Sequence, residues 1–204
     1  MHNVWNKCKR VLLYGGLDRE EYRKIAPAIN NANRKSIVVL SLACLLVYAL
    51  RLCLRYSVVP RSNQIVFFTA IVLFGLLAVL NLQIKDDRLV VHVSAYLFLG
   101  FYLSVGIFAA IGENSVRERT TLYLVFLVVA PMLYALNAVE LAAIIVPAEL
   151  LYLTLIAKFQ SAYPVYATNR GNSLFFAITG LMLGVYMANQ KFSGIYNAYR
   201  TAQF

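Results

Sequence analysis

The sequence predicts an all-α, polytopic membrane protein with six transmembrane helices, both termini cytoplasmic, and a last helix that runs on into a cytoplasmic stalk. Three observations carry this expectation. Of 204 residues, 61% are hydrophobic and 14% charged, with a mean hydropathy of +0.67, where soluble chains hold roughly 45 to 50% apolar residues. Six stretches reach or approach the ~20 apolar residues that cross a ~30 Å hydrocarbon layer. Of nineteen Lys and Arg, eight (Lys7, Lys9, Arg10, Arg19, Arg23, Lys24, Arg34, Lys35) precede the first long apolar run. That placement suits a cytoplasmic membrane flank, so the net charge of +10 points to membrane lipid and not to nucleic acid.

Residues 1–35 form the cytoplasmic leader. Within it, VWNKCKRVLLY mixes Trp5, Val11, Leu12 and Leu13 with three basic residues, the mixture expected of a segment lying on an anionic membrane surface. In GGLDREEYRKIA, Asp18 can cap a helix with Glu21 at its third position, while Leu17 and Tyr22 stand where a hydrophobic staple needs them. Pro27 is expected to bend or end that helix before NNANRKS leads into the first span. Nothing in the leader has the small-residue cleavage site of a removable signal peptide.

The bundle occupies 36–190, with spans at about 36–56, 63–84, 89–111, 120–136, 138–157 and 173–190. The stretch 120–157 is nearly continuous, and NAVE (Asn137 to Glu140) is the hairpin that divides it. Orientation follows the Lys/Arg excess in short loops. With both termini inside, twelve basic residues lie inside (the eight above, Lys85, Arg88, Lys191, Arg200) against six outside (Arg55, Arg61, Arg117, Arg119, Lys158, Arg170). The expected localisation is a bacterial inner (cytoplasmic) membrane. Cys44 and Cys53 sit nine residues apart in one apolar segment, about 13 Å along a helix and too far to pair; all three cysteines read as free thiols.

Catalytic signatures are missing: no Gly-rich phosphate loop, HExxH, CxxC or nucleophile elbow occurs. His2 and His92 have no carboxylate or cysteine at ligand spacing, so neither a metal nor a cofactor is expected, and His92 reads as a packing residue. Ionisable residues within spans are costly and become candidates for function. Arg55 and Glu140 lie near span ends and read as structural, Arg55 by snorkelling. Arg51 and Glu149 lie in the outer half, where they can pair across the bundle or bind opposite ends of a polar ligand. Pro147 frees a backbone carbonyl near Glu149 and offers a pocket floor. The segment KFQSAYPVYATNRGNS is expected to be the longest outer loop and a possible lid. The candidate ligand-binding set is therefore Arg51, Glu149, Tyr152, Tyr163, Tyr166, Asn169 and Arg170.

GLMLG with Ala188 places Gly180, Gly184 and Ala188 on one helical face at four-residue spacing, suited to close packing in the bundle or in a homodimer. In 191–204, Phe192, Ile195, Tyr199 and Ala202 recur at steps of three and four, a short seam of coiled-coil type. It is expected to be the start of a signalling helix that continues toward a cytoplasmic effector beyond residue 204.

The GLDREEYRKI leader, the ANRKS lead-in, six hydrophobic spans and a last span running into IYNAYRTAQF together resemble the N-terminal sensory region of membrane-bound GGDEF proteins. The likeness covers nearly the whole chain in the order of elements, and specific residues at the two cytoplasmic ends. It implies a stalk leading to a soluble diguanylate cyclase domain that makes cyclic di-GMP as a dimer. This chain has no GGDEF motif, so no catalytic residue is carried over and the chain itself is not expected to be an enzyme. The expected function is a membrane receptor module that binds a small ligand in its outer half and signals through its last helix. The alternative is a substrate-binding subunit of a vitamin-type membrane transporter.

Overall fold

Long apolar runs leave the backbone no water to bond with, and helices satisfy it internally. The computed structural model describes residues 2–55, 61–84, 87–111 and 120–202, and their regular structure is entirely helical. The helices are α1 (His2–Tyr14), α2 (Arg19–Arg55), α3 (Arg61–Gln83), α4 (Arg88–Ile111), α5 (Thr121–Leu133), α6 (Ala138–Gln160) and α7 (Val165–Thr201). Five of them, α2, α3, α4, α6 and α7, are long and apolar enough to cross a membrane, and α5 is shorter. Lys85, Arg117, Arg119 and the side chains of Arg55 and Arg61, which bear on the expected topology, lie outside the described residues.

The expected boundaries need three corrections. First, Pro27 does not break its helix: α2 runs unbroken from the leader into the first apolar run, with Pro27 inside it. Pro27 and Arg23, whose carbonyl the missing N–H would have bonded, are both exposed, while Ile25 and Ile29 anchor the other side of the helix. Second, the expected outer loop 158–173 shrinks to the turn 161–164, because α6 continues to Gln160 and α7 begins at Val165. A four-residue turn has no reach to act as a lid. Third, Pro147 lies inside a continuous α6, and it and Ala143 are exposed. The carbonyl it frees is on the outer side of the helix, so it makes no pocket floor.

Other local expectations hold. NAVE is a hairpin: Asn137 caps α6 by accepting from the Glu140 amide at 2.8 Å, and Glu140 accepts from the Asn137 amide at 2.9 Å. At α2, the Asp18 amide donates to Glu21 at 2.9 Å, and Leu17 and Tyr22 pack into one cluster. His92 Nδ1 lies 3.0 Å from the Arg88 carbonyl, and Cys8, Cys44 and Cys53 are free.

The chain forms two compact units, 30–101 and 1–29 with 102–204. In the first, Phe74 is the centre: its ring lies 5.1 Å from Phe98, 5.5 Å from Phe101 and 5.9 Å from Tyr48. A polar pin closes one end, where buried Asn81 donates to Ser94 Oγ and to the Leu77 carbonyl, both at 2.9 Å.

The second unit is built on seams. Buried residues recur along α6 as Ala138, Leu141, Ile145, Glu149, Tyr152, Ile156 and Gln160, and along α7 as Asn169, Ser173, Ala177, Gly180, Gly184, Ala188 and Phe192. Steps of three and four keep each set on one helical face, and α7 packs by that face on α5 and α6. The α7 seam is polar at its start, small in the middle and aromatic at its end. A Cβ on Gly180 would stand 2.6 Å from the Leu127 carbonyl oxygen, so only glycine permits this approach of α7 to α5.

Candidate functional site

At the polar end of that seam the second unit gathers side chains from α5 with its N-cap, α6 and α7, and a backbone carbonyl from α4. Tyr152 donates to Thr120 Oγ1 at 2.8 Å, and the Thr120 amide donates to Asn169 Oδ1 at 3.2 Å. Asn169 donates to Gln160 Oε1 at 3.0 Å, and Gln160 donates to the Ala110 carbonyl at 3.3 Å. The chain of bonds thus ends on a carbonyl in the last turn of α4 and an amide at the start of α5. Helix ends leave such groups without intrahelical partners, and an apolar surround makes them costly. The Gln160, Asn169 and Thr120 part of the network is explained by this capping duty.

Glu149 is not explained in this way. It lies eleven residues from either end of α6, about 16 Å along the helix from each, and so far from any helix end that needs capping. Tyr123, fully buried on α5, donates to Glu149 Oε2 at 3.0 Å and stacks on Tyr152 with ring centroids 4.3 Å apart. Ser173 of α7 stands beside the carboxyl with its hydroxyl turned to the Arg170 carbonyl at 3.1 Å. Glu149 Oε1 is buried with no partner at hydrogen-bond geometry, and the rotatable Ser173 hydroxyl beside the carboxyl is a group that can turn to it. A buried acceptor of this kind is expensive to leave bare, and it marks the point in the network that can take a donor.

Of the expected ligand set, Glu149, Tyr152 and Asn169 come together, and Tyr166 packs against the apolar cluster around them. Tyr163 sits in the half-exposed turn and Arg170 is exposed. Arg51 belongs to the other unit, where its guanidinium lies over the Phe67 ring, 5.1 Å from the centroid. Sequence reasoning missed Thr120, Tyr123, Gln160 and Ser173. Gln160 and Ser173 had a signal, since they continue the spacings Glu149, Tyr152, Ile156 and Ala177, Ser173, Asn169. Thr120 and Tyr123 come from a different helix and had none.

The small-residue face and the terminal seam also have partners inside the chain. Gly180 faces Leu127, and a Cβ on Gly184 would stand 2.2 Å from Leu141 Cδ2. Phe192 is fully buried with Leu17, Ile25, Ile29, Ala135 and Ala188, while Tyr22, Ile195, Tyr196 and Tyr199 pack against this group. Tyr22 meets Phe192 edge-on at 5.3 Å. Gly15 and Gly16, with φ of +56° and +88°, press on Ala188, Asn189 and Phe192. The expected stalk therefore packs on the leader over Phe192, Ile195 and Tyr199, leaving Ala202 exposed. Periodicity showed that a partner exists, but not that the partner is the leader at the other end of the chain.

Among the described residues no group of His, Cys, Asp and Glu could hold a metal ion. Comparison of the chain with known protein families, with curated proteins and with solved structures gives no match in any of the three.

Proposed function

We propose that the chain is a membrane sensory module in which a small ligand carrying a hydrogen-bond donor or cationic group binds at Glu149 and α7 carries the bound state to the leader. The observation that supports this most is the buried Glu149 Oε1 without a partner at hydrogen-bond geometry, on a carboxyl held by Tyr123 and facing α7. From Asn169 to Phe192, α7 runs 24 residues as one helix, about 35 Å and enough to cross the bilayer. A rigid rod with a polar seam at one end and a packed aromatic seam at the other converts a small shift at the first into a changed contact at the second. A ligand that favours one of two packings by about 1.4 kcal/mol changes their ratio tenfold.

The six-span arrangement with both termini in the cytoplasm is part of this proposal. Helix α5 has thirteen residues, about 20 Å. Buried Tyr134, Ala135 and Leu136 follow, Tyr134 in an extended conformation, and three non-helical residues reach up to roughly 10 Å further. Lys191 of α7 donates to the Met132 and Tyr134 carbonyls, each at 2.8 Å, which serves the exposed carbonyl end of α5. The leader packed on α7 would then pass its state to a cytoplasmic effector, in keeping with the resemblance to cyclase-coupled sensory regions and with the homodimer such effectors require.

The test is thermal unfolding of the purified protein against a panel of small amines and amides. Compounds that stabilise the wild type should lose that effect in Glu149→Gln and keep it in Arg170→Ala. Stabilisation undiminished in Glu149→Gln removes Glu149 from the site.

A further inference from the structure

Helix α1 carries an apolar surface that nothing among the described residues covers. Val4 and Trp5 are 67% and 68% exposed, and Cys8, Val11 and Leu12 are exposed with them. At 3.6 residues per turn these five side chains fall within an arc of about 120°. Lys7 and Lys9, both exposed, border the arc on its two sides. Apolar residues between flanking lysines are the arrangement of a helix lying in a membrane interface, its apolar face among acyl chains and its ammonium groups at headgroup level. The far side of α1 is engaged elsewhere, since Arg10 is paired with Asp18.

The C-terminal end of the helix is also tied to α7. The Gly16 amide donates to the Arg10 carbonyl at 3.1 Å and the Leu17 amide to the Tyr14 carbonyl at 3.2 Å, closing a turn directly after α1. That turn is Gly15 and Gly16, which stand against Ala188, Asn189 and Phe192 of α7. This is the point where the apolar run of α7 gives way to the polar sequence NQK. A helix pinned at that level, with an uncovered apolar arc, lies where a bilayer surface would be.

We propose that α1 docks on the leaflet at the Phe192 end of the bundle, inserting Val4, Trp5, Cys8, Val11 and Leu12 and setting Lys7 and Lys9 against anionic headgroups. Because the glycine turn ties α1 to α7, docking and release of α1 alter the packing around Phe192. The leaflet's negative charge is then a second input to the element that the Glu149 site addresses. The docking of α1 rests on the membrane-spanning character of the bundle, and only its place as a second input rests on the Glu149 reading.

Trp5 is the single tryptophan of the chain, so its fluorescence reports on α1 alone. The full chain is placed in nanodiscs of phosphatidylcholine, or of phosphatidylcholine with phosphatidylglycerol, each with and without brominated acyl chains. Brominated chains should quench Trp5 strongly in the anionic disc, and added salt should weaken the quenching. The Lys7→Gln/Lys9→Gln variant should lower the docked-to-undocked ratio there about 25-fold, roughly five-fold per lysine, and much less in the zwitterionic disc. Unquenched, water-exposed emission in both discs overturns the proposal. Blue-shifted emission that bromine does not quench means that protein covers the helix, a second copy included, and also overturns it. Equal quenching in both discs, unchanged in the double variant, overturns the role of anionic charge.

Discussion

A carboxyl at the middle of an apolar helix costs about 3 kcal/mol to place in a membrane, and the residues around Glu149 show how that cost is met. Tyr123 gives Oε2 one hydrogen bond from a fully buried hydroxyl. Glu149→Gln keeps an acceptor for Tyr123, so the variant should fold and unfold near the wild-type temperature. Glu149→Ala strands the Tyr123 hydroxyl and should lose about 1 to 3 kcal/mol, read as a lowered thermal midpoint in detergent. A midpoint for Glu149→Ala equal to that of Glu149→Gln would show that the Tyr123 bond carries no weight. Chemistry alone made Glu149 legible in the sequence, since a lone acid in an apolar run is conspicuous. It made Arg51 conspicuous by the same rule, yet Arg51 lies over Phe67 and its charge is met by an aromatic face. A rule that detects charge cannot tell a carboxyl aimed at a core from a guanidinium resting on a ring.

At the scale of elements, α7 is set by what its glycines allow. The backbone carbonyl of Leu127 cannot move aside for a Cβ on Gly180, whereas Leu141 can rotate its δ-carbon away from one on Gly184. Gly180→Ala should therefore cost about 1 to 3 kcal/mol and Gly184→Ala clearly less. Equal losses in thermal unfolding would contradict this packing of α7 on α5. Phe192→Ala empties the middle of the leader cluster and should cost about 3 to 5 kcal/mol. Limited proteolysis should then cleave faster at Arg19, Arg23 and Lys24, which the wild type holds within α2; unchanged cleavage would mean that the leader holds without Phe192. The helix ends were the least legible feature, and 158–173 shows why. Gln160, Asn169 and Ser173 are polar residues of a buried seam, and by composition alone they read as loop. Pro27 misled in the opposite direction, because a proline whose neighbours anchor one face and expose the other is carried inside a helix.

Across the whole molecule, hydropathy was enough to find the apolar helices, and charge bias proposed their orientation. Partnership over distance was the part not written locally: the seam at Phe192, Ile195 and Tyr199 was visible, while its packing on Leu17, Tyr22 and Ile25 required the fold. The small face of Gly180 and Gly184, open to a dimer reading in the sequence, meets Leu127 and Leu141 of the same chain. The central claim is that the state of Glu149 reaches the leader through α7. Hydrogen exchange in detergent, comparing wild type, Glu149→Gln and Tyr123→Phe, tests it without knowledge of the ligand. Amides of 17–29 and 188–199 should change their exchange rate together in both variants, along with those near Glu149. Changes confined to the surroundings of Glu149, with both distant segments unaltered, would contradict the account.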